Sequence, residues 1–148
     1  MDTKERILVS ACLLGVPCRY DGKSVPCEGV ICLKERAQLV PVCPEQLGGL
    51  ATPRTPAERR GEAVVTRDGR DVTAQYMRGA QEALRLARLF GCTKAILKSK
   101  SPSCGCGLIY DGSFSGKLVP GEGVTAQLLR ENGVEVRTET DANQKHNP

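Results

Sequence analysis

Three short apolar runs punctuate the chain: Ile7-Leu8-Val9-Ser10-Ala11, Leu39-Val40-Pro41-Val42 and Ala95-Ile96-Leu97. Continuous runs this short, bounded by charged or turn-forming residues, read as strands buried on both faces. A fourth strand is expected from Val134 to Arg137. Between the runs the period changes. From Thr73 to Phe90, residues Tyr76, Met77, Ala80, Ala83, Leu84, Ala87 and Phe90 fall near the helical repeat, and Gly91 stands where the helix should stop. Further helices are expected from about Glu28 to Gln38, with Val30, Ile31 and Ala37 inward, and from about Val124 to Asn132 before Gly133.

The remaining segments are punctuated by Gly and Pro. Arg67-Asp68-Gly69, between Ala63–Thr66 and Arg70–Val72, carries a hairpin signal. Pro44 to Pro56 is a long Gly- and Pro-rich segment, and ordered loops of that length are uncommon unless they are functional. Ile109 to Leu118 reads as turns with little regular structure, and the polar tail from Thr138 is expected to fray.

Strands alternating with helices predict an α/β fold, a small single domain over residues 1–148. Its sheet should be mainly parallel and Rossmann-like, with helices on both faces and right-handed crossovers. Ligands of such sheets bind beyond the carboxyl ends of the strands. Cys12 lies just past the first run, Cys43 ends the second, and Cys104 follows the third across Lys98-Ser99-Lys100-Ser101-Pro102-Ser103. If the strands are parallel neighbours, these three thiols share one edge and can converge on one metal centre.

Composition narrows the chemistry. A domain of 148 residues buries roughly 70% of its unfolded surface. With no Trp, the core must rest on Leu, Val, Ile and Ala. The 16 glycines and nine prolines gather between the apolar runs, so loops should carry the function. The net charge of +4 is spread along the chain and aromatics are only 3%, which gives no support for binding a nucleic-acid polymer. A small anionic or polar ligand suits that charge as well. No segment approaches the roughly 20 apolar residues of a membrane span. Met1 to Cys12 loosely resembles a lipoprotein signal, but its apolar part is shorter than the usual stretch of about 7–15 residues, and Asp2 and Glu5 spoil the cationic start. The expected location is cytoplasmic.

Eight cysteines in a chain that needs no disulfides raise the prior for metal. There is no Cys-x-x-Cys pair of a structural zinc site and no ferredoxin spacing, so any ligands must come singly from separate loops. Cys32 and Cys92 read as small buried apolar residues. Cys18, Cys27 and Cys106 stay open between that role and a direct metal role. His146, the only histidine, lies in the tail and argues against a Cys-His dyad. Gly116-Lys117 and Gly121-Glu122-Gly123 lack the spacing of a phosphate loop. Lys98, Lys100, Lys117 and Arg19 read as cations of a ligand pocket or as a solvated face.

Four motifs in order carry a resemblance. Ser10-Ala11-Cys12-Leu13-Leu14-Gly15 with Cys18-Arg19-Tyr20-Asp21-Gly22 is the first, and Pro41-Val42-Cys43-Pro44-Glu45-Gln46-Leu47-Gly48-Gly49-Leu50 the second. Lys98 with Ser101-Pro102-Ser103-Cys104-Gly105 follows, then Tyr110-Asp111-Gly112 with Phe114-Ser115-Gly116-Lys117. Together they resemble the thiouracil desulfidase family of small bacterial iron-sulfur enzymes, over about Ile7 to Val136. The resemblance implies a 4Fe-4S cluster held by Cys12, Cys43 and Cys104, with Glu45 and Ser101 serving catalysis. Glu45 would be the base for water, and Ser101 would orient the substrate or relay a proton. Ser103, with Gly105 and Gly107, is a weaker candidate for substrate or cluster contacts. A cluster with three cysteines leaves one iron open, and sulfur is a soft donor that prefers such an iron over harder sites. The implied reaction is a non-redox desulfuration of thiouracil or a related thionucleobase to uracil and hydrogen sulfide. The partner is then a small thiolated pyrimidine, with no nucleic-acid polymer and no membrane. Two alternatives remain at this point. One is a non-catalytic iron-sulfur or zinc protein, an electron carrier or sensor in which Cys18 or Cys106 completes the coordination. The other is a metal-free persulfide enzyme, against which the lack of a neighbouring histidine counts.

Overall fold

The computed structural model describes residues 4–141. Its centre is a four-stranded parallel sheet in the order β2-β1-β5-β8, formed by β1 (Glu5–Ser10), β2 (Ala37–Val42), β5 (Lys94–Leu97) and β8 (Glu135–Thr138). The α/β expectation is borne out. β1 pairs with β2 from Glu5↔Ala37 to Ser10↔Val42 and with β5 from Ile7↔Lys94 to Val9↔Ile96. The chain moves outward from β1 to β2 and later returns to β1's other side at β5. Winding therefore reverses between β1 and β5, the place where open α/β sheets bind ligands.

Alternation along β1 builds two cores. Ile7 and Val9 pack with Leu13, Val30, Leu33, Ala37 and Ile96 on one face. Leu8 packs on the other with Val42, Ala83, Leu84, Ala87, Ala95, Leu97, Ala126 and Leu129. The first face is covered by α1 (Glu28–Ile31) and two 3-10 turns, Ala11–Leu14 and Cys32–Glu35; the second is covered by α3 (Thr73–Phe90) and α4 (Val124–Glu131). Both faces being dry explains why these strands are runs of apolar residues rather than alternating ones. Among the described residues no helix is long and apolar enough to cross a membrane.

Four expectations need correction. The helix expected to reach Gln38 ends as a 3-10 turn at Glu35, because Ala37 and Gln38 already pair with Glu5 and Arg6 of β1. Six residues of parallel pairing outweigh a weak helical preference. The hairpin joins β3 (Ala57–Arg60) to β4 (Ala63–Thr66) across Gly61-Glu62, while the arm after Asp68-Gly69 contributes a single bridge, Val65↔Asp71. β3 has no apolar alternation; Arg59 and Arg60 hold it by donating to the carbonyls of Glu122 and Gly112 at 2.7 Å. Asp111 to Lys117 is irregular as expected, but Ile109, Tyr110 and Leu118 on either side of it belong to a second hairpin, β6 (Cys106–Tyr110) with β7 (Leu118–Glu122). Gly107, Pro120 and Gly121 hide it from strand propensity, and Pro120 is tolerated because this is a two-stranded ribbon with free edges. Thr138 is buried in β8 and does not fray, and its backbone N–H donates to Asp141 Oδ2 at 3.1 Å. His146 and the rest of the tail from residue 142 lie outside the described residues.

One contact sets the position of the loop after β2. The single-turn helix α2 (Pro44–Leu47) lies backbone to backbone on α3, where Gly48 faces the Gln75 carbonyl and Gly79 faces the Pro44 carbonyl. A Cβ at either glycine would run into the facing carbonyl. Helix propensity alone favours Ala over Gly by about 1 kcal/mol. Gly79→Ala is nonetheless expected to lower stability, by about 1–3 kcal/mol, because α2 must be pushed off. A fall in the urea midpoint at unchanged slope is the measurement; a rise would mean that α2 does not sit so tightly on α3.

Candidate active site

Each of the three aligned strands releases its loop at the same edge. β1 ends at Ser10 and the chain turns through Ala11-Cys12; β2 ends at Val42 opposite Ser10 and delivers Cys43; β5 ends at Leu97 and Lys98–Ser103 leads to Cys104. The Ser10 hydroxyl ties the strand ends together by accepting the Lys98 backbone N–H at 2.9 Å. Cys12, Cys43 and Cys104 line one cavity of about 400 Å³, together with Glu45, Ser101 and Cys18. Cys12 and Cys104 come from the cores on opposite faces of the sheet and meet only at this edge.

The loop holding Cys104 is fixed by α4. That helix has no side-chain N-cap. Its first backbone donors go instead to the loop's carbonyls: Gly123 to Gly105 at 2.7 Å, Val124 to Pro102 at 2.8 Å, and Thr125 to Ser103 at 2.8 Å. Ser101 closes the loop from inside, its Oγ accepting the N–H groups of Ser103 at 3.0 Å and Cys104 at 3.1 Å. A serine hydroxyl has two acceptor sites and one proton. Both acceptor sites are used here, so the proton is what Ser101 can offer the cavity.

Burial dominates the thiols' electrostatics. It pushes the Cys12 thiol up to about 11, with the Cys43 sulfur adding to the rise while Lys98 and Arg19 oppose it. The Cys104 thiol is pushed up to about 12, again by burial first. Cys18 rises to about 12 through burial and the nearby Cys43 and Cys12 sulfurs. The sulfurs thus sense one another across the cavity. Among the described residues no group of three or more His, Cys, Asp or Glu is gathered tightly enough for a single ion. A cubane cluster asks for less crowding, because each thiolate binds a different iron. Four soft donors around a cavity, Cys12, Cys43 and Cys104 with Cys18, and no imidazole in the wall, fit such a cluster.

Glu45 stands on α2, 13% exposed, in an ion pair with the buried Arg54. Arg54 Nε donates to Glu45 Oε2 at 2.8 Å, and its terminal nitrogen makes a closer contact with the same oxygen. Tyr76 of α3 lies beside Glu45 in the same wall; burial, and then the Glu45 charge, hold its phenol far above the usual range and therefore protonated. Neither residue stood out in the sequence. Tyr76 read as one apolar position of the amphipathic helix, and Arg54 lay unremarked in the Pro-rich segment. Lys98 lines the cavity with Lys100 and Arg19, whereas Lys117 does not. Lys98 Nζ lies 3.3 Å from Glu139 Oε2, so the first residues of the supposed tail form part of the wall's support.

The other expected positions fall outside. Ser103 does not line the cavity: it is 1% exposed, and its hydroxyl pairs with Thr125 Oγ1 at 2.9 Å inside the α4 junction. Cys92 is core, the Cys32 sulfur faces the Gly29 carbonyl at 3.6 Å, and the Cys106 sulfur faces the Val136 carbonyl at 3.9 Å. Cys27 packs beneath the first-face core.

The model of the 2-thiouracil desulfurase family matches residues 7–141. The chain belongs to that family. Among the relatives of this desulfurase is the uncharacterised protein YbbK of Bacillus subtilis (strain 168), 45% identical over 147 residues, spanning 93% of this chain and 97% of YbbK. Among solved structures it resembles the [4Fe-4S]-dependent thiouracil desulfidase TudS, 50% identical, with a TM-score of 0.90 and 95% of each chain covered.

The buried Ser103–Thr125 pair yields a test of the loop's anchorage. Ser103→Ala leaves a buried hydroxyl without its partner and is expected to cost about 1–3 kcal/mol in denaturant unfolding. An unchanged midpoint would mean that the pair does not hold the Cys104 loop to α4.

Proposed function

We propose that this desulfurase removes sulfur from thiouracil or a related thionucleobase without redox change, using a 4Fe-4S cluster held by Cys12, Cys43 and Cys104. The observation that carries the reading is the common edge: three strands of one register deliver three thiols, Glu45 and Ser101 to a single cavity. When bound, the cluster supplies a soft Lewis acid at its iron without a protein ligand, which draws electron density from the thiocarbonyl.

The chain's own groups do the rest. Glu45 takes the proton from the water that adds to the ring carbon, a role that needs a carboxylate within hydrogen-bond reach. Ser101 orients the substrate by donating a hydrogen bond from its hydroxyl, because its lone pairs are engaged by the N–H groups of Ser103 and Cys104, and the proton that Glu45 takes from water passes on to the departing sulfide. Water supplies the new carbonyl oxygen, and the products are uracil and hydrogen sulfide. Free thiols at all eight cysteines suit a reducing compartment, and we place the protein in the cytoplasm. The alternative, a non-catalytic cluster protein, draws on Cys18, a fourth thiol in the same wall.

Anaerobic reconstitution tests the reading. Four irons and four sulfides per chain are expected, with broad absorption at about 400 nm. Cys12→Ala, Cys43→Ala and Cys104→Ala should each lose the absorption. Glu45→Gln should keep it while hydrogen sulfide release from thiouracil falls by at least about 100-fold. Cluster loss in Cys18→Ser, with no sulfide released by the parent protein, would favour the electron carrier; stoichiometric zinc would end the cluster proposal.

A further inference from the structure

We propose that Arg54 and Tyr76, which share the cavity wall with Glu45, are positioning residues that hold its carboxylate so that it meets its water in one orientation. This rests on Glu45 being the base.

The guanidinium has five N–H donors in a rigid fork, and Arg54 uses its three nitrogens on four separate groups. Nε and one terminal nitrogen hold Glu45 Oε2, and that terminal nitrogen also donates to the Cys18 carbonyl at 3.0 Å. The other terminal nitrogen donates to Thr52 Oγ1 at 2.9 Å and to the Ala51 carbonyl at 3.2 Å. Donors so committed leave none for a substrate, which separates Arg54 from the binding machinery. The Arg54 backbone adds a link of its own, its N–H donating to the Tyr20 carbonyl at 2.8 Å. One residue therefore joins the loop after Cys12, the α2 turn after Cys43 and its own loop.

The contacts are one-sided. Both Arg54 bonds to the carboxylate fall on Oε2, and Oε1 receives none from it. Tyr76 approaches from α3, a separate element, and its ring is 3% exposed. The Arg54 and Glu45 side chains are 9% and 13% exposed, so neither can swing into water without dragging the loop along. The two Arg54 bonds on one side and the Tyr76 ring from an independent element on the other, around a carboxylate whose own helix is seated on Gly79, restrict it to one rotamer. A base misplaced by about 1 Å costs on the order of 100-fold in rate. A lysine at position 54 keeps the charge but cannot span the carboxylate, a carbonyl and a hydroxyl at once.

The test uses cluster-loaded protein and two mild substitutions, Arg54→Lys and Tyr76→Phe, each made alone and together with Glu45→Gln. Iron content and visible absorption should equal the parent's. The kcat for thiouracil should fall about 100-fold in Arg54→Lys and about tenfold in Tyr76→Phe, with KM changed by less than about threefold. In the Glu45→Gln background neither substitution should lower the residual rate further, because both act through that carboxylate. A loss of equal size in both backgrounds overturns the proposal. A second measurement needs no turnover: the urea midpoint of Glu45→Gln with Arg54→Lys should fall by less than the sum of the single shifts, and additive shifts overturn the clamp. Should the parent protein release no sulfide, the functional reading fails while the unfolding cycle still decides the clamp.

Discussion

The site depends on the register of β1 between its two parallel neighbours. β1 is bonded on both edges and dry on both faces, so a slip of one residue would exchange Leu8 with Ile7 and Val9 between the two cores. Such a slip would also move Cys12 by a strand step relative to Cys43 and break the bond from the Lys98 amide to the Ser10 hydroxyl. The positions of the sulfurs are therefore inherited from the least deformable part of the molecule. Placement at the reversal between β1 and β5 adds the opening that a ligand needs.

Strand ends alone would leave the loops free, and helices remove that freedom by contact between backbones. α2 rides on α3 through Gly48 and Gly79, which carries Cys43 and Glu45 to a fixed place. α4 spends its first amide donors on the carbonyls around Cys104. Gly123 is the matching feature, since a Cβ there would strike the Ser103 carbonyl. A helix whose first amides are capped by the cavity-lining loop orders that loop as it forms, and neither is satisfied without the other.

What was legible in the sequence follows from this division. The strands, α3 with its stop at Gly91, and the placement of Cys12, Cys43 and Cys104 at strand ends all rest on local patterns of apolar residues, and these were readable. β3 was not, because its residues Ala57-Glu58-Arg59-Arg60 are held by partners at Gly112 and Glu122, more than fifty residues away. The β6-β7 ribbon was hidden in the same way, with the Glu58 carboxylate accepting the Gly112 and Phe114 N–H groups at its turn. Glu45 and Ser101 came through resemblance to a family. Arg54 and Tyr76 came through neither route, since a charged loop residue and an aromatic on an apolar helix face have ordinary explanations until the fold brings them to one carboxylate.

The charge of the wall obeys the same dependence on assembly. Thiols and a carboxylate crowded at one edge disfavour one another's charge, as the rise of Cys12 beside Cys43 and of Cys18 beside Cys43 and Cys12 records. The opposing charges come from elsewhere: Arg54 from the Pro-rich loop, Lys98 from the end of β5, and Arg19 from the loop after Cys12. Lys98 is itself steadied by Glu139, which follows the last strand, and Ser99 donates to the same carboxylate at 2.8 and 3.0 Å. Counter-charges held by separate loops offset the cost of placing anions in a buried wall only when every loop is docked. Folding and the electrostatic preparation of the site are therefore one event, and the dipoles and charges facing the substrate need not reorganise when it arrives.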